Sequence, residues 1–432
     1  MLSADKVEIS AKKGTQNVIN DNRAEKTVED ENMGEGAIYS KADLKLKGTG
    51  TLAVNASYNN GVHCSKDLTI QKLALKVTAV GSAIKGSDSI TVKSGTVVAI
   101  STKSDGIKTS STDLSKSGEA RGNIELLGGS IAVYSAGDGI QAAHDFIMQT
   151  GTEGTAANVT VFTGAYSGYT AEDSAAESFK GVKAANEAFI HSGVITVSAY
   201  DDGIQANLGT QFDSGAVGKG CVTITGGTVT VAVFSPEGKT GGGRQGPGHG
   251  RQQAVAGADG IHADGTLTIS GGTINIDSAY EGLEANVINV SGGTTVITAN
   301  DDGINACKGQ ASPLMNVTGG IIDVTVPANG DVDGIDSNGS YEQSGGLVIT
   351  RGPASEMAAA VDAEARVSVS GGTLIALGYG NVNTEGAVKA LSLELHSAGS
   401  HTVNAGGVSY TFTNESAYRQ TVCVSDAEVS GN

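Results

Sequence analysis

The sequence has no tryptophan, 5 prolines and 4 cysteines, and aromatic residues make up only 4% of it. So few rings exclude a core built on large aromatic side chains and leave one of aliphatic residues. The cysteines form no CxxC pair and have no zinc-ligand spacing, so they indicate free thiols. No apolar run approaches the length of about 18 residues that would indicate a membrane-spanning helix. We therefore expect no insertion into a membrane.

Basic residues are also few: 28 lysines and arginines stand against 46 acidic residues, for a formal net charge of -18. This balance argues against nucleic acid or an anionic membrane surface as a direct partner. An acidic ligand would need a cation between it and the protein. The start, MLSADKVEIS, has neither the basic region nor the apolar core of a signal peptide. We expect an exported, monomeric protein, secreted or at the cell surface, whose export signal has been removed; the alternative is an intracellular protein.

What the chain has in abundance is glycine, 63 residues, placed in a repeated frame. The tripeptide acid-Gly-Ile/Leu recurs with Gly260, Gly282 and Gly303 spaced 22 and 21 residues apart. Between these glycines the order is constant: an alternating strand, a Gly-Gly-Thr turn, a second alternating strand, and the next acid-Gly step. An interval of this length with this content is typical of one coil of a repeat protein.

The frame of leucine-rich repeats and the nine-residue GGxGxD repeat of calcium-binding rolls are both missing, and propeller blades are about twice as long. The repeat therefore predicts an all-β parallel β-helix, a solenoid with coils of about 22 residues. We expect a cap over residues 1–34, the β-helix over 35–390, and a second cap over 391–432. Loop insertions are predicted near 110–121, 149–179 and 235–256. The glycine-rich loop 235–256 is either a mobile excursion or a flap that grips a ligand.

Equivalent positions of successive coils stack about 4.8 Å apart in a solenoid, so the acid of each acid-Gly step becomes part of a column. We call this the acid column; its members are Asp105, Asp138, Lys180, Asp202, Asp259, Glu281, Asp302 and Asp333. A flanking column lies three residues later in each coil, at Lys108, Gln141, Lys183, Gln205, His262, Glu284, Asn305 and Asp336. Two carboxylates about 4.8 Å apart repel by roughly 3.5 kcal/mol at an effective dielectric of about 20. Such a column has to protonate, turn into solvent or bind cations.

Calcium is the cation that these residues predict, because it takes six to eight oxygen ligands from carboxylates, amides and water. Zinc would need histidine or cysteine, and only His262 stands in the columns. The densest predicted cluster is Asp301, Asp302, Asp331, Asp333 and Asp336, and a second one is Asp201, Asp202, Asp259, Glu281 and Glu284. The alternative is that each Asp-Gly pair is an ordinary turn whose carboxylate accepts backbone hydrogen bonds.

Several segments occur in register along the chain: AIYSKADLKLKGTGTLAVNAS, NNGVHCSKDLTI, the repeated DDGI and ISGGTINI. They resemble a family of secreted bacterial carbohydrate-binding proteins related in fold to polysaccharide lyases. The resemblance implies a right-handed parallel β-helix, bound calcium, and binding of plant-type polysaccharide, such as cellulose or acidic pectin, without catalysis. For a neutral glycan, Tyr200 and Tyr280, each just before an acid-Gly step, are candidate stacking residues; the alternative is that they pack in the core or at its edge.

The family is also similar to calcium-dependent pectate lyases, which implies a rival activity, β-elimination of polyuronate. In such enzymes calcium holds the uronate carboxylate while a lysine or arginine removes the neighbouring proton. Lys389 and Lys308 are the candidate bases. The lyase acidic motif resembles Asp-Asp-x-x-Asp, whereas here Asn305 and Gln205 stand at its last position. A third possibility is an adhesin-like stalk that calcium only makes rigid.

Overall fold

A computed structural model describes residues 4–23, 35–169, 178–234, 257–353, 358–379, 382, 384–385, 389–395, 397–414, 417–426 and 428–431. It divides into an N-terminal unit, Met1–Val229, and a C-terminal unit, Thr230–Asn432. The described residues form strands and turns with one short 3-10 helix, Gly164–Ser167, and no α-helix. Within these ranges no helix is long and apolar enough to cross a bilayer.

The N-terminal unit is a stack of coils, each of which contributes one strand to each of three parallel sheets. Sheet 1 contains Lys6–Ala11, Asp43–Gly48, Asp67–Gln71, Ser89–Val92, Asn123–Leu126, Phe146–Met148, Glu187–Ile190 and Cys221–Ile224. Sheet 2 contains Gln16–Asp21, Thr51–Ala56, Leu73–Ala79, Gly95–Ser101, Ser130–Ser135, Asn158–Thr163 and Val194–Ala199. Sheet 3, which follows the acid-Gly step, contains Gly36–Ser40, Asn60–Cys64, Ile84–Gly86, Ile107–Thr109, Ile140–Ala142, Val182–Ala184 and Ile204–Ala206.

The C-terminal unit repeats the same order of strands. Strands Ile261–Ser278 and Leu283–Thr298 each run without a break through all three faces of a coil. In the next coils sheet 3 contains Ile304–Ala306, Ile335–Ser337 and Val361–Ala363, and Leu314–Thr325 spans sheets 1 and 2. The remaining strands of sheet 1 are Ser340–Gln343, Arg366–Val369 and Thr384–Glu385, and those of sheet 2 are Leu347–Arg351 and Thr373–Gly378. Strand Thr228–Val233 contains the division between the units.

Alternation fills the interior of the coils with aliphatic side chains. On sheet 3, Ile107 pairs in register with Ile84 on one side and Ile140 on the other, and all three are fully buried. The same holds in the C-terminal unit, where Leu283 pairs with Ile304. Because side chains alternate between the two faces of a strand, the residue after each buried aliphatic one points outwards. The predicted parallel β-helix is confirmed.

Glycine is required in the acid-Gly step because the backbone of the next coil passes close by. A Cβ on Gly303 would lie 2.5 Å from the carbonyl oxygen of Gly334 and 2.1 Å from Val324 Cγ1. The Gly-Gly turns need glycine for another reason, since the second glycine adopts a left-handed conformation, as Gly272 does with φ of +87°.

The two ends of the chain differ. In the predicted N-terminal cap, Lys6–Ala11 and Gln16–Asp21 pair in parallel with Asp43–Gly48 and Thr51–Ala56, so this segment adds a coil. Residues 24–34 lie outside the described ranges, as does the glycine-rich loop 235–256. The C-terminal strands are Lys389–Leu395, Gly399–Ala405, Val408–Asn414, Tyr418–Ser425 and Val429–Gly431. They are joined in antiparallel pairs, and Tyr418–Ser425 pairs with the last sheet 2 strand.

Other insertions leave the coils. Between residues 110 and 121 the chain closes a loop with a bridge between Leu114 and Ala120. The 3-10 helix belongs to the insertion predicted near 149–179, of which residues 170–177 lie outside the described ranges. Strands Leu208–Gln211 and Val217–Lys219 form an antiparallel hairpin that the repeat frame did not predict. Its residues interrupt the passage from sheet 3 to sheet 1 in that coil.

Candidate functional site

The backbone ladder aligns the acid column within each unit. In the C-terminal unit, the amide nitrogens of Gly260, Gly282 and Gly303 donate to the carbonyl oxygens of Glu281, Asp302 and Asp333, over 2.9, 3.1 and 2.9 Å. In the N-terminal unit the amide nitrogens of Gly106, Gly139 and Gly181 donate in the same way to carbonyl oxygens of the next coil. Since each bond joins one acid-Gly step to the next, the predicted acid column is confirmed within each unit.

The flanking column is formed by the outward residues of sheet 3. In the C-terminal unit the strand register pairs His262 with Glu284, Glu284 with Asn305, and Asn305 with Asp336. The register continues from Asp336 to Asp362, one coil beyond the last position that the sequence frame identified. Asp362 follows buried Val361, just as each residue of the flanking column follows a buried aliphatic residue. This alternation of buried and outward residues is the sequence signal that places Asp362 in the flanking column.

In the N-terminal unit lysines neutralise the acid column. Lys108 Nζ lies 2.8 Å from the carboxylate of Asp105, and Lys183 Nζ lies 3.7 Å from that of Asp138. Asp105 also accepts a hydrogen bond from the backbone nitrogen of Asp138, over 3.0 Å. Burial, with the nearby charge of Asp105, raises the pKa of Asp138 above its usual value.

Lys180, which itself occupies a position in the acid column, pairs with two of the predicted calcium ligands. Its Nζ lies 3.0 Å from Asp201 and 2.6 Å from Asp202. Burial alone would lower the pKa of Lys180, but the two carboxylates outweigh it and raise that pKa. Asp201 and Asp202 therefore share one protein cation, which compensates one of their two charges.

The C-terminal unit carries carboxylates at the same positions without such lysines. Among the described residues, Glu281, Asp302 and Asp333 form no ion pair with lysine or arginine. Asp302 accepts a 2.6 Å hydrogen bond from the backbone nitrogen of Asp333, and Asp333 accepts one from Ala359. Backbone amides therefore replace lysine as hydrogen-bond donors to Asp302 and Asp333, but they bring no positive charge to the column.

A first set of three carboxylates comprises Asp259, Glu281 and Glu284, which we call the upper carboxylate set. One oxygen from each lies within 4.8 Å of the other two. His262 Nδ1 lies 2.8 Å from Asp259 and 3.6 Å from Glu284. Burial, followed by the charges of Glu284 and Asp259, raises the pKa of Glu281 far above that of a solvated glutamate. This set contains three of the five residues of the second predicted cluster.

A second set comprises Asp333, Asp336 and Asp362, which we call the lower carboxylate set. Its oxygens also lie within 4.8 Å of one another. Burial and the neighbouring carboxylates raise the pKa of Asp333 to about 7 and that of Asp336 to about 6. Two of these residues belong to the densest cluster predicted from the sequence, and Asp362 is the one that sequence reasoning missed.

Between the two sets lie Asp302 and Asn305. Burial raises the pKa of Asp302 to about 8, with the charges of Asp333 and Asp301 adding to it. The amide nitrogen of Asn305 donates to Glu281 over 3.1 Å, and its Oδ1 is buried without a hydrogen-bond partner among the described residues. Asn305 Oδ1 and the neighbouring carboxyl groups are oxygen ligands of the kind that a hard divalent cation takes.

The other predicted ligands lie beside these sets rather than in them. Asp331 is exposed, and its charge contributes to the raised pKa of Asp333. Asp301 hydrogen-bonds Tyr280, and burial together with this bond raises the pKa of the phenol. Asp333 therefore forms its three-carboxylate set with Asp336 and Asp362, and not with Asp301, Asp302 or Asp331.

Each of the two predicted stacking residues has a neighbour against its ring. Tyr200 is 39% exposed, but its ring meets Phe179 edge to face, with centroids 6.0 Å apart. One face of Tyr280 is covered by Gly257, where an added Cβ would lie 1.8 Å from Cγ of the ring. The stacking role stays a prediction for both tyrosines, since Tyr200 keeps an exposed part and Tyr280 has one face covered.

The two candidate bases lie in different places. Lys308 is largely exposed and lies 3.4 Å from Glu364, and its charge lowers the pKa of Asp336 against the stronger effect of burial. Lys389 is on the C-terminal antiparallel strands, where it lies 3.7 Å from Glu428. Of the two, Lys308 is the one near a carboxylate set.

Parallel coils with a column of partly buried, mutually repelling carboxylates define a solenoid β-helix with candidate cation sites. The chain belongs to the family of carbohydrate-binding domain-containing proteins, whose model matches residues 1–238 and 218–303. A relative from Acetivibrio thermocellus, also described as a carbohydrate-binding domain-containing protein, is 41% identical over 69 residues. This match covers 16% of the chain and 24% of the relative, so the chain spans about a quarter of that protein. No solved structure matches the chain. The predicted membership of a carbohydrate-binding family is confirmed, whereas calcium, export and the lyase relation stay predictions.

Proposed function

We propose that the chain binds plant-type polysaccharide outside the cell, at the cell surface or in secreted form, and that calcium on the carboxylate sets mediates this binding. The observation that carries the proposal is the contrast between the units. Lysines compensate the acid column of the N-terminal unit, whereas the described part of the C-terminal column retains three uncompensated acids. A column of this kind either retains protons at neutral pH or exchanges them for cations from solution.

Calcium is the proposed cation because of the spacing and chemistry of the donors. Its oxygen ligands lie at about 2.3–2.6 Å, so two ligands of one ion are separated by at most about 5 Å. The upper and lower carboxylate sets each meet this limit, with oxygens within 4.8 Å of one another. Asp259, Glu281 and Glu284 would hold one ion, and Asp333, Asp336 and Asp362 another. The raised pKa of Glu281 means that a proton occupies this carboxyl group until a metal replaces it, and the pKa of Asp333, about 7, leaves that group partly protonated at neutral pH.

An acidic polysaccharide such as pectin or polygalacturonate is the ligand class that this arrangement favours. The protein carries a net charge of -18, so uronate carboxylates would be repelled by the bare column. A calcium ion that retains open coordination positions attracts them instead, because it can take oxygen ligands from the protein and the sugar together. Cellulose, the neutral alternative, would not need the ion.

The test is retention on immobilised polygalacturonate and on cellulose, each with calcium and with chelator. We expect polygalacturonate to retain the protein only with calcium, and Asp362→Asn to weaken that retention at least tenfold. Asp362 is exposed, so its replacement should leave the fold intact. The matched control is Asp277→Asn, an exposed acid on sheet 2 that should bind like the wild type. Retention on neither polymer would contradict the proposal and favour the stalk.

β-Elimination of polyuronate is the second candidate function, and the position of Lys308 favours it. A lysine whose charge reaches Asp336 could remove the proton next to a carboxylate held at the lower set. Incubation with polygalacturonate and calcium would then raise the ultraviolet absorbance of unsaturated uronate. Lys308→Ala should abolish that rise, while Lys389→Ala should preserve it. A flat absorbance with the wild-type protein would exclude the lyase and leave the binding function.

A further inference from the structure

The C-terminal strands cover part of the outer face of sheet 2. Ile349, Ile375 and Leu377, on the two last strands of that sheet, form one buried apolar cluster with residues of the antiparallel strands. Among the latter are Phe412 and Tyr418. At the edge of this cover, a cavity of about 250 Å³ lies between sheet 2 and the C-terminal strands. It shares no residue with either carboxylate set.

Sheet 2 provides one wall of this cavity from successive coils. Thr298, Thr325 and Arg351 are partners in register on adjacent strands, and so are Val296 and Asp323. Thr413 and Tyr418 line the opposite wall. The remaining lining is small and apolar, with Pro327 and Ala328 at the end of the coil. Hydroxyls, one ion pair and an aromatic ring therefore surround a space smaller than a typical drug-sized pocket.

The unusual group in this wall is Arg351, which is only 6% exposed. Its ion pair with Asp323 and its hydrogen bonds to Val324 O, over 3.0 Å, and Thr325 Oγ1, over 3.4 Å, all use Nη1. Its Nε is buried and has no hydrogen-bond partner among the described residues. A guanidinium has five N–H donors and cannot lose its charge in a protein. The edge of the guanidinium that carries Nε, which we call the Nε edge, therefore lacks an acceptor in the folded chain. Buried donors without an acceptor point to a ligand.

The charge of the site favours a neutral ligand over an acidic one. Asp323 already compensates Arg351, so a second carboxylate would leave a net negative charge in a largely buried place. A sugar hydroxyl brings an acceptor for the guanidinium and a donor for the partly exposed Asp323 without adding charge. The threonine hydroxyls and the apolar lining match the mixed surface of a sugar ring.

We propose that the cavity around Arg351 is a calcium-independent subsite for one neutral sugar unit of a polysaccharide. Neighbouring hydroxyls of the sugar accept from the Nε edge of Arg351 and donate to Asp323. Thr298 and Thr325 border the ring on sheet 2, and Tyr418 borders it on the other side. This inference goes beyond the calcium-mediated binding of acidic polymer, since it assigns a second site with a different ligand.

Calorimetric titration of the full chain in chelator tests the proposal, with β-1,4-linked hexamers of glucose, mannose and xylose and an α-1,4-linked galacturonate hexamer. We expect at least one neutral hexamer to bind and Arg351→Lys to weaken it at least tenfold, because lysine keeps the charge beside Asp323 but has no Nε edge. Thr298→Tyr, which fills the cavity from an exposed position, should weaken it similarly. Arg366→Lys, at an exposed ion pair with Glu342, is the matched control and should bind normally.

Three results would overturn the inference: no neutral hexamer binds in chelator, Arg351→Lys binds as tightly as Arg366→Lys, or only the galacturonate hexamer depends on Arg351. Retention on polygalacturonate with calcium is measured for the same variants. We expect Arg351→Lys to keep it, so failure of the subsite and failure of the calcium-mediated function give different patterns. Unchanged melting curves show that a loss of binding is not a loss of fold.

Discussion

Lys180 Nζ lies 2.6 Å from the carboxylate of Asp202, one coil further along the acid column. In the C-terminal unit the corresponding neighbours, Glu281 and Asp302, are both acids, and burial raises the pKa of each. The same backbone position is thus occupied by a cation in one unit and by an anion in the other. Together with the flanking Lys108 and Lys183, this difference separates a column with lysines of its own from one that can take a cation from solution.

Calcium should stabilise the wild-type protein, and a lysine in place of Glu281 should reduce this dependence, since it removes a ligand of the upper carboxylate set and leaves the lower one intact. An ion that binds only the folded chain adds about 2.7 kcal/mol at a concentration one hundred times its Kd. For Glu281→Lys we expect a melting temperature in chelator a few degrees above that of the wild type, because the new cation compensates Asp302 as Lys180 compensates Asp202.

Differential scanning calorimetry with calcium and with chelator measures both effects. The control is Asp277→Lys, which makes the same change of charge at an exposed position outside the column. Equal melting temperatures of the wild type in calcium and chelator would show that the acid column is an ordinary row of turn residues.

In chelator, stability should fall as the pH rises from about 4 to about 8. The carboxylates of Asp302, Asp333 and Asp336 have folded-state pKa values of about 8, 7 and 6, whereas those of the unfolded chain titrate near 4. Between these limits the folded protein binds more protons than the unfolded chain, so raising the pH favours unfolding. The stabilisation is complete below about pH 4 and is lost as each folded-state pKa is passed.

Denaturant midpoints measured from pH 4 to pH 8 in chelator check this slope. Asp302→Asn removes the group with the highest of the three pKa values and should flatten the upper part of the window. Calcium replaces the protons, so the slope should largely disappear when calcium is present. A midpoint in chelator that rises with pH would mean that these carboxylates are not buried as a group.

Replacement of Gly303 by alanine should destabilise the C-terminal unit by about 2 kcal/mol or more, because the added Cβ would overlap Val324 and the backbone of Gly334. Denaturant unfolding measures the change. Ala83 occupies the equivalent position of an N-terminal coil. The matched control, Ala83→Gly, should therefore cost less, by about 1 kcal/mol or below. Equal costs would show that the coils do not approach each other as closely at Gly303.

The sequence alone determined the coil and its columns. Acid-Gly-Ile recurs at one-coil intervals, and parallel pairing in register carries that one-dimensional order directly into space. For this reason Glu281, Asp302, Glu284 and Asn305 lie where the frame predicts them. Alternation along sheet 3 also contained the signal for Asp362, although its coil lacks the acid before the glycine position.

Only the tertiary structure decided which carboxylates are compensated and what covers the solenoid. Lys180 and Lys183 could have turned into solvent, and their pairing with Asp202 and Asp138 depends on side-chain packing between coils. The site around Arg351 depends on antiparallel strands that return across sheet 2 after the repeat has ended. No periodicity links Tyr418 to Thr298, because contacts made by a chain that folds back depend on tertiary packing rather than on the repeat.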